Sequence, residues 1–130
     1  MLKSIYTLFS YLVPAQAHGV IFVGIDLPSH QLASALVCES KCKLIAFIDD
    51  EPWNNRTKML NTQIFYPSEL LALAYKHRPK LLIHFTGCRP EVTQDYFNEL
   101  NRLGVLALEL NPKDQTFDEQ LRLASIALAG

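Results

Sequence analysis

Three short stretches of the chain carry the residues best suited to chemistry, and each follows an apolar run. The first is Gly24-Ile25-Asp26-Leu27-Pro28-Ser29-His30, after Val20-Ile21-Phe22-Val23. A glycine between a buried strand and a helix brings backbone N–H groups to an anion, and the helix dipole adds attraction. In a G-x-G-x-x-G turn the second glycine admits a pyrophosphate and the third lets helix and strand pack closely. Asp26 and Ser29 stand in those two places, and an aspartate there repels a phosphate. Two readings stand side by side: a weakened phosphate turn, or a structural turn in which Ser29 caps the helix. His30, in the first turn of that helix, is the best placed of the histidines to meet a ligand.

The second stretch is Asp49-Asp50, ending the apolar run that starts at Lys43. A carboxylate at such a strand end accepts hydrogen bonds from an adenosine ribose. Asp49 falls 25 residues after Gly24, near the usual offset of about 20. A carboxylate disfavours a 2′-phosphate, so NAD would be preferred to NADP. The alternative is a solvated turn, Asp49-Asp50-Glu51-Pro52. The third stretch is Thr86-Gly87-Cys88-Arg89, after Leu81-Leu82-Ile83-His84-Phe85. Arg89 suits a phosphate and Gly87 a close backbone approach. Equally, Thr86 or Gly87 caps a helix beginning at Pro90. Trp53-Asn54-Asn55-Arg56 has the make-up to stack on a base and hold a phosphate. A surface loop with Trp53 folded over the sheet edge is the favoured reading of it.

No catalytic set assembles from these residues. His18, His30, His77 and His84 lack two-ligand spacing, and His84, inside an apolar strand with no evident acid partner, reads as a core histidine. Cys88 would have its pKa lowered by a helix N-terminus but has no obvious base. The pattern points to a binding domain more than to an enzyme, with no metal site.

Strands alternating with helices must position these stretches. Apolar runs near Gly19, Lys43, Thr62, Lys80 and Val105 begin five strands. Helices run to about Ser40, from Pro67 to about His77, from Pro90 to about Leu103, and over Phe117 to Leu128. This is an α/β pattern with a parallel sheet and right-handed crossovers. Residues 18–130 form one domain, since 130 residues hold one core. Residues 1–17 hold an amphipathic helix with Ile5, Leu8, Phe9 and Leu12 on one face. Lys3, the apolar stretch and Ala15-Gln16-Ala17 also imitate a secretory signal; the amphipathic helix is the preferred reading. The apolar run is shorter than the roughly 20 residues of a membrane span. A net charge of −1, from 12 basic and 13 acidic residues, favours neither nucleic acid nor an anionic membrane. Three cysteines without paired spacing suit reduced thiols in the cytoplasm.

In the order of these features the chain resembles a Rossmann-type domain of polysaccharide biosynthesis. That domain precedes the catalytic domain in membrane-bound nucleoside-diphosphate-sugar epimerases and dehydratases. The matching pieces are VIFVG (Val20 to Gly24), LIAFIDDEP (Leu44 to Pro52), TQIFYPSELLAL (Thr62 to Leu73) and KLLIHFT (Lys80 to Thr86). The likeness covers roughly Ile5 to Leu110, and FIDDEP is its most specific part. It implies a three-layer, CoA-binding-like Rossmann domain, for which the doubly wound order 3-2-1-4-5 of five parallel strands is expected. The implied ligand is NAD, CoA or a nucleotide-sugar, held by Gly24, Ile25, Asp26, Ser29, His30, Asp49, Asp50, Thr86, Gly87 and Arg89. The implied role is accessory or regulatory to nucleotide-sugar metabolism, as a homodimer or docked to a nucleotide-sugar-modifying enzyme, at the inner face of the membrane through a partner. The chain departs from the pattern in keeping one glycine of three, and in having no dehydrogenase domain after Gly130. It looks like the accessory domain alone, or a fragment. A rival expectation is a degenerate domain that has lost its ligand and docks through Ile5, Leu8, Phe9 and Leu12.

Overall fold

A computed structural model describes residues 18–130; the amphipathic helix expected over 1–17 lies outside them. The chain runs β1 (His18–Val23), α1 (Leu27–Cys38), β2 (Cys42–Ile48), β3 (Lys58–Met59), β4 (Thr62–Phe65), α2 (Leu70–His77), β5 (Leu81–Phe85), α3 (Gln94–Arg102), β6 (Leu106–Leu110) and α4 (Phe117–Ala129). Short 3-10 turns at Pro52–Asn54 and Pro67–Glu69 complete it.

β1 is the centre of the sheet because both of its faces are apolar. Val20, Ile21 and Phe22 are fully buried, as a parallel strand covered on two sides requires. Val20 and Phe22 face Phe47, Leu81 and Ile83 under α1 and α4, with the Phe22 and Phe47 rings 5.7 Å apart. Ile21 and Val23 face Ala46, Ile48 and Leu82 under α2 and α3. The register of β1 on β2 slips between Val20 and Ile21, leaving Ile45 as the extra residue. Its side chain lies against Gly19, where a β-carbon would not fit.

The sheet has six strands in the order β3-β4-β2-β1-β5-β6, which corrects the expected five-stranded, all-parallel sheet. The extra strand is β3, two residues paired antiparallel to β4. Counting it, the expected order 3-2-1-4-5 becomes 3-4-2-1-5-6. β3 turns into β4 through Leu60 and Asn61, both at positive φ (52° and 59°). That backbone favours Asn but not Leu, so the hairpin has only half its usual sequence signal.

Two expected helix starts also move. The helix expected from Pro90 begins at Gln94, because Thr93 supplies the capping oxygen, accepting from the Tyr96 N–H at 3.4 Å. Pro90 instead follows a cis peptide bond and is buried. At α1 the cap is Asp26, without a side-chain bond, and Ser29 lies inside the first turn. At α4 Thr116 and Glu119 form a reciprocal capping box.

Candidate functional site

β1 is flanked by β2, the next strand of the sheet in sequence, on one side and by β5, reached later, on the other, so a crevice opens between the turns that follow these strands. This switch point is where open α/β sheets hold ligands. Gly24 makes the first turn at φ +100°, its N–H donating to the Ile48 carbonyl at 2.7 Å. The Arg89 carbonyl oxygen lies 3.0 Å from the place a β-carbon on Gly24 would take. Ser29, buried at 2% exposure, comes within 3.6 Å of the same place through its hydroxyl oxygen. Ser29 therefore packs beneath the turn rather than capping α1.

On the β2 side Asp49 is almost buried. Its Oδ2 accepts from the Glu51 N–H at 3.2 Å and from Asn54 Nδ2 at 2.9 Å. Asp49 thus anchors the 3-10 turn at Pro52–Asn54 as a buried acceptor rather than as part of a solvated turn, while remaining at the crevice wall. Asp50 pairs instead with Arg89 across the opening, Oδ2 to Nη2 at 3.1 Å. This ion pair is mostly exposed, and the Asp50 bond keeps the guanidinium pKa above its ordinary value.

The crevice encloses about 370 Å³, at the small end of the range of about 300–1,000 Å³ for ligand pockets. It brings together six of the sequence candidates: Ile25, Asp26, Asp49, Asp50, Gly87 and Arg89. A β-carbon on Gly87 would meet nothing within 4 Å, so its backbone is open to approach. Thr86 points elsewhere, its hydroxyl donating to Glu109 Oε2 at 2.8 Å. His30 lies beside Phe117 on the outer face of α1.

The tryptophan loop is not folded over the sheet edge. Trp53 is 73% exposed, and Arg56 is held away from the crevice, pairing with Glu69 at 2.9 Å and lying over the Phe65 ring at 4.8 Å.

A second pocket of about 290 Å³ adjoins the first, between the ends of β5 and β6. It contains a partner the sequence did not disclose, because Glu109 stands opposite His84 in the parallel register. His84 is half-buried against Phe97, ring centroids 4.9 Å apart. Burial lowers the imidazole pKa, and Glu109 opposes that shift. The available signal was positional: LLIHF and LALEL each carry one polar residue, at the fourth place of a five-residue strand. Cys88 lies between the two pockets. Its thiol pKa is raised, by burial first and by Asp26 second, which corrects the expected lowering. The helix start that shares its crevice is that of α1, and the Asp26 carboxylate at that start opposes the thiolate. Among the described residues no three His, Cys, Asp or Glu side chains are placed to hold a metal ion. Nor is any helix among them long and apolar enough to cross a membrane.

No family profile and no curated protein matches the chain. Solved structures do. UDP-D-quinovosamine 4-dehydrogenase from Vibrio fischeri superposes with a TM-score of 0.58 at 24% identity, over 83% of this chain and 86% of that one. The Rex-family repressor RSP gives 0.60 at 17% identity, over 97% of this chain and 68% of that one. The same repressor in complex with β-NAD+ and operator DNA gives 0.60 at 15%, over 95% and 66%. At these identities the likeness is one of fold, and the fold is Rossmann-like.

Proposed function

We propose that this domain binds a nucleotide-type ligand by its nucleoside end, at the crevice between the turns after β1, β2 and β5. Asp49 carries the reading. It is a nearly buried carboxylate at the end of β2 whose Oδ2 is committed to Glu51 and Asn54. Oδ1 has no hydrogen-bond partner among the described residues and is the acceptor for the ribose hydroxyls. Ile25 offers an apolar surface to the base, and Gly87 admits the ligand without steric cost. RSP, which has the same fold, binds NADH and NAD+; NAD, CoA and nucleotide-sugars are the nucleoside-bearing ligands to screen for this chain. The role that fits the sequence resemblance, and the dehydrogenase of like fold, is accessory or regulatory to nucleotide-sugar metabolism at the cytoplasmic face of the membrane. The domain would act there as a homodimer or docked to a modifying enzyme.

The test is a thermal-shift and calorimetric screen with adenosine, NAD, CoA and UDP-sugars, repeated on Asp49→Ala. A ligand at 100 times its dissociation constant raises stability by about 2.7 kcal/mol, a shift of several degrees. Loss of that shift in Asp49→Ala supports the assignment; an unchanged shift removes Asp49 from the site.

One observation favours a second reading. The Arg89 carbonyl closes on Gly24, and the Arg89–Asp50 pair spans the opening. A domain that has exchanged its ligand for internal contacts would look like this and would serve as an interaction module. Silence across the whole screen selects that reading.

A further inference from the structure

We infer that the ligand of this crevice presents a neutral or cationic group, not a phosphate, beside the turn after β1. The inference rests on the nucleoside reading above and narrows it. Three observations around Gly24 converge.

The first is that the turn after β1 is poorly made to hold a pyrophosphate. Asp26 occupies the place from which a glycine would let the phosphates approach, and its exposed carboxylate forms no capping bond to α1. Within that first turn Pro28 has no N–H, so one of the donors that a helix start ordinarily leaves unpaired is missing. The anion-attracting end of the helix has one donor fewer than usual and a fixed negative charge in front of it.

The second concerns the glycine that remains. Gly24 is accounted for by its positive φ and by the Arg89 carbonyl oxygen 3.0 Å from its missing β-carbon. An acceptor of the chain itself thus packs on the turn.

The third is the balance of charge. Asp26, Asp49, Asp50 and Glu51 line the crevice against a single guanidinium, and that guanidinium is engaged with Asp50. A 5′-phosphate would enter among like charges, whereas an ammonium or sulfonium on the same carbon would be attracted. The ligand class is therefore a nucleoside with an uncharged or positively charged 5′ substituent. The pyrophosphates of NAD, CoA and nucleotide-sugars fit the turn less well.

Isothermal titration of the 130-residue chain with 5′-amino-5′-deoxyadenosine, adenosine, AMP and NAD tests this. The expected order of affinity is amine, adenosine, AMP, NAD, with AMP about tenfold or more weaker than the amine. The gap should narrow in Asp26→Asn and at high salt, where charge effects are screened. AMP or NAD binding more tightly than adenosine overturns the inference and leaves the nucleoside site standing. An order that ignores both Asp26→Asn and salt also overturns it. Failure of all four probes removes the nucleoside site itself, and the inference with it.

Discussion

The carbonyl oxygen of Arg89 packs on the open face of Gly24, joining the turn after β5 to the turn after β1. Gly24→Ala would place a β-carbon 3.0 Å from that oxygen on a backbone at φ +100°. Neither the turn nor a backbone carbonyl gives way easily. The expected cost is about 1–3 kcal/mol, read as a fall of several degrees in the thermal midpoint. A midpoint matching the parent would mean that the two turns move apart freely.

Asp49 holds the 3-10 turn through two hydrogen bonds, and substitution can separate these from its charge. Asp49→Ala removes the acceptor of the Glu51 and Asn54 bonds, and a loss of about 1–3 kcal/mol is expected in urea unfolding. Asp49→Asn keeps an acceptor oxygen for both bonds and should recover most of the stability. Equal destabilisation by both would show that the carboxylate charge, not the hydrogen bonds, holds the 3-10 turn.

His84 ties stability to pH. Burial lowers its pKa below the ordinary value of 6.5, with Glu109 opposing. The folded domain therefore binds this proton less readily than the unfolded chain. Its contribution is fully present above the unfolded pKa and is lost as pH falls through the folded one. The thermal midpoint should drop as pH falls below about 6.5, and His84→Gln should flatten that part of the curve. Identical pH profiles for parent and variant would refute the assignment.

The three thiols should separate by reactivity. Cys38 is exposed on α1, Cys42 is buried at the start of β2, and Cys88 lies between. Burial pushes the Cys42 thiol up to about 11 from 9.0, and thiol reagents need the thiolate. At pH 8, Ellman's reagent should take Cys38 first, Cys88 more slowly, and Cys42 only in denaturant. Rapid native labelling of Cys42 would require a local opening of β2.

The strands were legible where burial dictated residue type. VIFV and KLLIHF announced themselves because a strand covered on both faces has no polar face to display. Lys58–Met59 did not, since two residues carry no periodicity and Leu60 hides the turn between β3 and β4. The start of α3 was misplaced because Pro90 suits a first helical position, whereas Thr93 determines the cap. In the site, Asp49, Asp50 and Arg89 could be named from strand ends alone. That Asp50 pairs with Arg89, and that Glu109 lies opposite His84, depends on strand register across β2, β1, β5 and β6. No local pattern records it.

The central position of β1 has a consequence in time. β1 is the first described strand to leave the ribosome, and β2 can pair with it as soon as α1 has folded back. Its other edge must wait for β5, because Val20 pairs with Leu81 and Phe22 with Ile83. Until then a central apolar strand of the sheet presents unpaired N–H and C=O groups to the surrounding medium. The β3–β4 hairpin covers the opposite margin and does nothing for this one. A pause in synthesis between α2 and β5 would prolong the exposure of the segment best suited to pair with a stranger.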